Sequence, residues 1–372
     1  MLDPKTFLDT LKSQGITFTT GVPDSLLKNF CACISDDGED IIASNEGASV
    51  GLGIGHHLAT GGVPLVYMQN SGFGNTMNPL LSLADKEVYG IPMLLMIGWR
   101  GEPGVKDEPQ HVKQGRVSEA LLEAMELPYV ILSDDQADAE QQVAEAFKVM
   151  NSQSCPYALL VKKGTFGKYS SNEVGMPSNY VNREAAIEMI LSKLDDKDVV
   201  VSTTGKSSRE VFEIREKQGS GHSKDFLTVG GMGHASQIAL GIAISKPDRK
   251  VYCLDGDGAM IMHMGSAAII GTRNVPNYRH IVVNNGCHES VGGQPSVGFE
   301  IDFQKIAEGC RYKRTHLVGS KEQLDQIWEQ FASEDGPTML EVRTSKESRD
   351  DLGRPTTTPA QNKEAYMQNL KK

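Results

Sequence analysis

The sequence predicts an α/β protein with two similar halves, each a mostly parallel β-sheet covered by helices on both faces. Apolar runs of strand length alternate with segments of helical length, which is the order that parallel sheets with helical crossovers require. A stretch of Gly, Ser, Asn and Pro with little apolar periodicity, residues 162–182, interrupts this alternation near the middle. We therefore expect two domains and a linker, at 1–168, 169–182 and 183–372, without a third, central domain.

The first half opens with a predicted helix, Pro4 to Gln14, which ends at Gly15 because glycine suits the left-handed end of a helix. A short strand at 16–19 then leads into the turn Gly-Val-Pro-Asp. The remaining predicted elements of this half are strands at 40–44, 63–69, 92–97 and 157–161 and a helix at 46–60.

The second half repeats the same alternation. Its predicted elements are strands at 198–202, 226–229, 251–254 and 280–283 and helices at 207–217, 234–244 and, after the turn 255–258, up to residue 270. The similar size and order of the halves indicate a structural duplication, although no sequence repeat accompanies it.

Composition excludes several classes of protein. With 39% hydrophobic and 23% charged residues, the 372-residue chain is neither disordered, collagen-like nor a disulfide scaffold. Its net charge of −11 argues against a nucleic-acid partner, which requires a basic surface. No apolar run reaches membrane-spanning length, and the start lacks a signal-peptide pattern. The cysteines are scattered without zinc spacing, so we expect reduced thiols in a cytoplasmic protein with no membrane partner.

The most specific motif is Gly256-Asp257-Gly258, followed after residues 259–283 by Asn284-Asn285. Each part follows an apolar strand, and the carboxyl ends of parallel strands form the ligand-binding edge of a sheet. A carboxylate, an amide oxygen and a backbone carbonyl are ligands that suit Mg²⁺. Gly-Asp-Gly alone is more often ordinary turn chemistry, but the paired asparagines at this separation favour a metal and diphosphate site.

This pattern resembles the cofactor motif of thiamin-diphosphate (ThDP)-dependent enzymes. The resemblance implies that Asp257, Asn285 and the carbonyl of Cys287 hold Mg²⁺, with cysteine where many members have glycine. It also implies that the second domain binds the diphosphate and the first binds the aminopyrimidine. The cofactor contacts that we assign to the second domain are Gly205, Ser207, Gly230, Met232, Gly256 and Gly258, of which Met232 would hold the cofactor in its bent form.

Glu46 is the candidate general acid/base. It lies between a predicted strand and a helix of small residues, the context in which family members carry the glutamate that protonates the aminopyrimidine. A glutamate at a helix start is also favoured by the helix dipole alone. Gly47, Gly51 and Gly55 follow at four-residue spacing, which predicts close packing of another helix. The resemblance implies a homodimer at minimum, with each site between the first half of one chain and the second half of another.

The compact two-domain arrangement is similar to the phosphonopyruvate and sulfopyruvate decarboxylases. Several segments resemble the former family: 20–27, 69–75, 98–104, 107–111, 203–210, 284–295 and 348–359. The resemblance implies a carboxy-lyase that converts 3-phosphonopyruvate to 2-phosphonoacetaldehyde and CO₂, in phosphonate biosynthesis of the 2-aminoethylphosphonate type. Candidate substrate contacts follow predicted strands or the metal-binding turn: Asp24, Ser25, Gln69, Arg100, Lys106, His111, His288 and Gln294.

Three other functions compete with this interpretation. A sulfopyruvate decarboxylase would use the same chemistry on a sulfonate, and a ThDP-dependent carboligase would add the activated carbon to a second carbonyl. A NAD-dependent dehydrogenase is disfavoured, because the nearest matches to G-x-G-x-x-G, at 51–55 and 231–236, lack the third glycine. The charged loop that carries Arg100, Lys106 and His111 could also be an ordinary solvated loop.

Overall fold

The computed structural model describes residues 1–38, 40–171 and 179–372. The chain divides into two compact units, one before and one after the stretch 172–178, and the short segment His288–Gln294 groups with the first unit. Residues 172–178 of the predicted linker lie outside the described residues. The last two linker positions, Val181–Asn182, form a strand of the second unit.

The first unit is built on a six-stranded sheet with the order β2-β1-β3-β4-β6-β5. All of its strand pairs in the described ranges are parallel. The strands are β1 (Thr19–Gly21), β2 (Asp40–Ile42), β3 (Leu65–Gln69), β4 (Met93–Gly98), β5 (Tyr129–Ile131) and β6 (Pro156–Val161).

Helices cover both faces of this sheet. They are α1 (Pro4–Ser13), α2 (Lys28–Asp37), α3 (Glu46–Thr60), α4 (Phe73–Pro79), α5 (Pro109–Ala124) and α6 (Gln136–Gln153). Alternate residues of β3 enter different cores: Leu65 and Tyr67 pack in one cluster, Val66 and Met68 in the other. A strand that is apolar on both sides is typical of a sheet buried between two helical layers.

The second unit holds a seven-stranded parallel sheet with the order β12-β13-β11-β10-β8-β9, and β7 pairs with β13. Its strands are β7 (Val181–Asn182), β8 (Val199–Ser202), β9 (Asp225–Leu227), β10 (Val251–Gly256), β11 (Tyr278–Asn284), β12 (Arg314–Val318) and β13 (Thr338–Ser345). The helices are α7 (Arg183–Ser192), α8 (Lys206–Gln218), α9 (Ala235–Ser245), α10 (Asp257–Met262), α11 (Gly265–Arg273), α12 (Phe303–Gly309), α13 (Lys321–Ser333) and α14 (Pro359–Asn369).

The predicted α/β class with parallel sheets and helices on both faces is confirmed, but several predicted elements differ from the structure in their bounds. The helix expected to run from the end of the turn 255–258 to Ile270 begins earlier, at Asp257, and is broken at His263, which has φ −130° and ψ 46°. Its ring lies so close to Gly233 that a Cβ there would come within 2.5 Å. The first strand begins at Thr19 rather than Ile16. Among the described residues, no helix combines the length and the apolar character needed to cross a bilayer.

Candidate active site

The Gly-Asp-Gly and Asn-Asn motifs lie side by side at the carboxyl edge of the second sheet. β10 and β11 are paired in parallel, with Gly256 opposite Val283. The residues that follow, Asp257 and Asn284, therefore lie at the same end of the two strands, where Asn284 is the last residue of β11. This arrangement arises because both motifs end strands that are neighbours in the sheet.

Asp257 is a buried carboxylate at the first position of α10, with only 3% of its surface exposed. It accepts hydrogen bonds from the Ser296 hydroxyl and from the backbone N–H of Asn285. Burial raises the pKa of Asp257 to about 6, against the effect of these hydrogen bonds. Gly298 borders the carboxylate so closely that a Cβ there would lie 2.6 Å from Asp257 Oδ2.

The two asparagines have different roles in this turn. The Asn284 side chain donates to the Gly298 carbonyl at 2.7 Å and to Glu341 Oε1 at 2.9 Å, so it holds the turn together. Asn285 Oδ1 accepts from the backbone N–H of Cys287 at 3.2 Å, which places these two residues in one turn beside Asp257. The second asparagine, rather than the first, is thus the better candidate metal ligand.

The residues of this turn fit Mg²⁺. The predicted donor set consists only of oxygen atoms, which a hard divalent cation prefers. Within the described ranges, no lysine or arginine forms an ion pair with Asp257, so a bound cation would supply the positive charge that this buried carboxylate lacks. The metal role of Asp257, Asn285 and Cys287 remains a prediction that this chemistry supports.

The candidate diphosphate contacts lie in turns of the same unit. Gly205 precedes α8 with φ 94°, a conformation that glycine adopts without strain, and Ser207 is buried in the first turn of that helix. Gly230 and Met232 lie between β9 and α9, where Met232 is partly exposed. Gly256 and Gly258 flank Asp257. These are backbone-rich turns of the kind that accept a phosphate group.

In the first unit, Glu46 occupies the first turn of α3, after the N-cap Asn45. Its side chain is 6% exposed, and Oε2 accepts a hydrogen bond from Asn75 Nδ2 at 2.7 Å. Gly72 packs against the same carboxyl group. Sequence reasoning assigned no role to Asn75 or Gly72, although both lie in the segment 69–75 that resembles the decarboxylases.

Four of the eight candidate substrate residues form one polar network at the carboxyl edge of the first sheet. The fully buried carboxyl of Asp24 accepts from Gln69 Nε2 at 2.6 Å and from the backbone N–H of Leu26 at 2.9 Å. Burial raises the pKa of Asp24. Arg100 Nη1 donates to Ser25 Oγ at 2.7 Å, which joins the arginine to the same loop.

Asp107 holds the Arg100 guanidinium, a role that the sequence did not reveal. Arg100 Nε donates to Asp107 Oδ2 at 2.8 Å, and Nη2 pairs with Oδ1. The pair raises the pKa of Arg100 and lowers that of Asp107 far below its usual range. The only signal available was that Asp107 lies in the segment 107–111 that resembles the decarboxylases, and this does not identify its partner.

The other candidate substrate residues are less organised. Lys106 is exposed. Burial and the charge of Arg100 lower the pKa of His111 to about 4, and its Nδ1 has no hydrogen-bond partner among the described residues. Burial lowers the pKa of His288 to about 4. Gln294 is 5% exposed, and neither atom of its buried amide has a partner in the described part of the chain.

Comparison with known proteins confirms the resemblance. Residues 5–122 match the thiamine pyrophosphate enzyme N-terminal TPP binding domain, and residues 203–342 match the C-terminal TPP binding domain. A phosphonopyruvate decarboxylase of Streptomyces viridochromogenes is 33% identical, over 94% of this chain and 90% of its own length. The Streptomyces hygroscopicus enzyme of that name is 31% identical, over 96% and 92%. A sulfopyruvate decarboxylase of Methanosarcina acetivorans is 27% identical, over 87% and 86%. The chain belongs to the phosphonopyruvate decarboxylase family of thiamine pyrophosphate enzymes.

Proposed function

We propose that the chain catalyses the ThDP- and Mg²⁺-dependent decarboxylation of 3-phosphonopyruvate to 2-phosphonoacetaldehyde and CO₂. The observation that carries this proposal is the end-to-end similarity to phosphonopyruvate decarboxylases. The buried carboxyl groups of Glu46 and Asp257 support it, because the chemistry requires one carboxyl group that exchanges a proton and one that binds the metal.

The residues of the second unit would hold the cofactor. Bound ThDP supplies a carbon nucleophile and an electron sink for the loss of CO₂. Asp257, Asn285 and the Cys287 carbonyl would bind Mg²⁺, and the glycine-rich turns would bind the diphosphate. Met232 would contact the organic part of the cofactor with its flexible apolar side chain.

Glu46 would hold and exchange a proton at its carboxyl group. A side chain that is 6% exposed is shielded from bulk water, so the proton passes between protein and cofactor rather than to solvent. The helix α3 and the hydrogen bond from Asn75 hold the carboxyl in one place.

The network around Arg100 would bind the anionic substrate. Among the described residues, three of the five guanidinium N–H groups donate to Asp107 and Ser25, so two could donate to a phosphonate or carboxylate oxygen. We assign Asp24 and Gln69 to the keto-acid end of the substrate. Lys106, His111, His288 and Gln294 are further candidates, and the unpaired buried amide of Gln294 supports its inclusion.

The proposed working unit is a homodimer at minimum. One face of α3 is open, because a Cβ at Gly51 or Gly55 would meet nothing within 4 Å. Leu52 and Leu58 are 38% and 72% exposed on the same helix, and a second copy of the chain would cover them. All six cysteines are free thiols, which fits our proposal of a cytoplasmic enzyme.

CO₂ release tests the function directly. The full-length chain is assayed with phosphonopyruvate, sulfopyruvate and pyruvate, each with and without ThDP and Mg²⁺. We expect cofactor-dependent release that is fastest with phosphonopyruvate. Faster release from sulfopyruvate would make sulfopyruvate the assigned substrate and leave the proposed decarboxylation unchanged. Absence of CO₂ from all three compounds would overturn the proposal and favour carboligation.

A further inference from the structure

The first turns of α3 and α4 contact each other beside Glu46. The Asn75 side chain donates to Glu46 Oε2 at 2.7 Å. The backbones also meet closely, since a Cβ at Gly47 would lie 2.7 Å from the Asn75 carbonyl oxygen. The glycine at 47 therefore brings residue 75 within hydrogen-bond reach of the carboxyl group.

The two oxygens of the Glu46 carboxyl are not equivalent in this arrangement. An ionised carboxylate only accepts hydrogen bonds, so the amide nitrogen of Asn75 must face it. In the protonated acid, the oxygen that accepts from Asn75 is the carbonyl oxygen. Oε1 accepts no hydrogen bond from any residue within 1–38, 40–171 or 179–372, and it is therefore the oxygen that carries the proton.

We propose that Asn75 is a positioning residue that makes Oε1 the proton-exchanging atom of Glu46. This inference rests on the proposed function, in which Glu46 serves the cofactor. The proton leaves Oε1 and returns to it in each turnover, while Oε2 keeps its hydrogen bond. Asn75 itself makes and breaks no covalent bond.

The test compares Asn75→Ala with Asn78→Ala, a matched substitution at an exposed position of the same helix. Both chains are loaded with ThDP and Mg²⁺, and deuterium exchange at the reactive thiazolium carbon is followed by quenched-flow NMR. We expect exchange and kcat to fall about ten- to a hundredfold in Asn75→Ala, the effect of losing one hydrogen bond to a charged group. The ThDP affinity measured by calorimetry and the KM should stay within about twofold.

A second variant guards against a general loss of structure. Asn75→Asp has nearly the same volume and keeps the backbone carbonyl that lies against Gly47, but it removes the amide donor. It should be at least as slow as Asn75→Ala. Wild-type exchange rates in both Asn75 variants, with Glu46→Ala inactive, would overturn the proposal.

A measurement on the cofactor-free chain tests the contact between Asn75 and Glu46 independently of the proposed function. In the cofactor-free chain with ¹⁵N-labelled asparagine, the side-chain amide signal of Asn75 should move on Glu46→Ala and that of Asn78 should not. An unmoved Asn75 signal would refute the contact. If the wild-type chain bound no ThDP but the Asn75 signal still moved on Glu46→Ala, the proposed function would be wrong and the contact between Asn75 and Glu46 would stand.

Discussion

The Glu46 carboxyl group lies directly against the backbone of Gly72. A Cβ atom at residue 72 would be 2.5 Å from Glu46 Oε1 and 2.6 Å from its carboxyl carbon. Gly72 has φ −77° and ψ −9°, a conformation open to any residue. Glycine is required here by the carboxyl group and not by the turn.

Gly72→Ala should therefore displace the Glu46 carboxyl with little effect on the backbone. We expect kcat to fall at least about tenfold with ThDP affinity unchanged, because the substitution does not change the turns of the second unit that we propose to bind the diphosphate. Gly74→Ala is the control, since a Cβ at Gly74 meets nothing within 4 Å. Steady-state kinetics and calorimetry check both variants, and equal kcat values would contradict the steric role of Gly72.

Metal binding depends on Asp257 in our proposal. Asp257→Ala should reduce Mg²⁺-dependent ThDP affinity about a hundredfold or more, and treatment of the wild type with a chelator should produce the same loss. Asp248→Asn, an exposed carboxylate before β10, is the control. Titration calorimetry with and without Mg²⁺ measures the effect, and an unchanged affinity in Asp257→Ala would remove this residue from the metal site.

Arg100 and Asp107 should act together on the substrate. Arg100→Gln removes the guanidinium, and Asp107→Asn removes the charge that orients it, so each should raise KM for phosphonopyruvate about ten- to a hundredfold. The KM for pyruvate, which lacks the phosphonate, should change much less. Arg116→Gln, an exposed arginine on α5, is the control. Equal changes for both substrates would exclude Arg100 from recognition of the phosphonate.

His111 should remain neutral down to acidic pH. Burial and the neighbouring Arg100 charge lower its pKa to about 4, while Asp107 opposes them. Between about pH 6.5 and pH 4 the unfolded chain binds a proton at His111 and the folded chain does not. The free energy of unfolding should therefore fall as the pH drops through this range. Arg100→Gln should raise the pKa toward the ordinary value, as measured by NMR titration of the imidazole signals. A wild-type midpoint near 6.5 would contradict the burial.

Breaking the ion pair between Arg215 and Asp225 should destabilise the second unit. Arg215 Nε donates to Asp225 Oδ2 at 2.9 Å and Nη2 donates to Oδ1 at 3.0 Å. The arginine side chain is 6% exposed and the aspartate side chain 0%. Arg215→Met leaves a buried carboxylate unpaired and should lower the free energy of unfolding by about 3–5 kcal/mol. The double variant with Asp225→Leu should recover most of this loss in denaturant unfolding. A double variant no more stable than Arg215→Met would show that the pair itself is required.

The proximity of the Gly-Asp-Gly and Asn-Asn motifs was predictable because each motif ends a strand and the two strands are neighbours in the sheet. Asp257 and Asn285 follow two apolar runs, and parallel strands present their carboxyl ends at one edge. Glu46 was predictable because its strand-to-helix context is local. Neither inference needs a side-chain partner from a distant part of the chain.

The partners of these residues could not be predicted. Asn75 is 29 positions from Glu46, and the contact depends on how closely α3 and α4 approach each other. Arg100 has several acidic neighbours along its loop, and only the folded turn selects Asp107. The break at His263 was likewise not predicted, and in the folded chain the ring of this residue packs against Gly233 from a different turn.

By itself, the amino-acid sequence determined the two parallel α/β halves and the family, and it indicated the acidic candidates for the chemistry, because these depend on local patterns of apolar and polar residues. The tertiary structure alone decided which groups orient those residues: Asn75 and Gly72 at Glu46, Asp107 at Arg100, and Ser296 and Gly298 at Asp257. The physical reason is that orientation depends on distances of a few ångströms between elements, which only the packing of the folded chain sets.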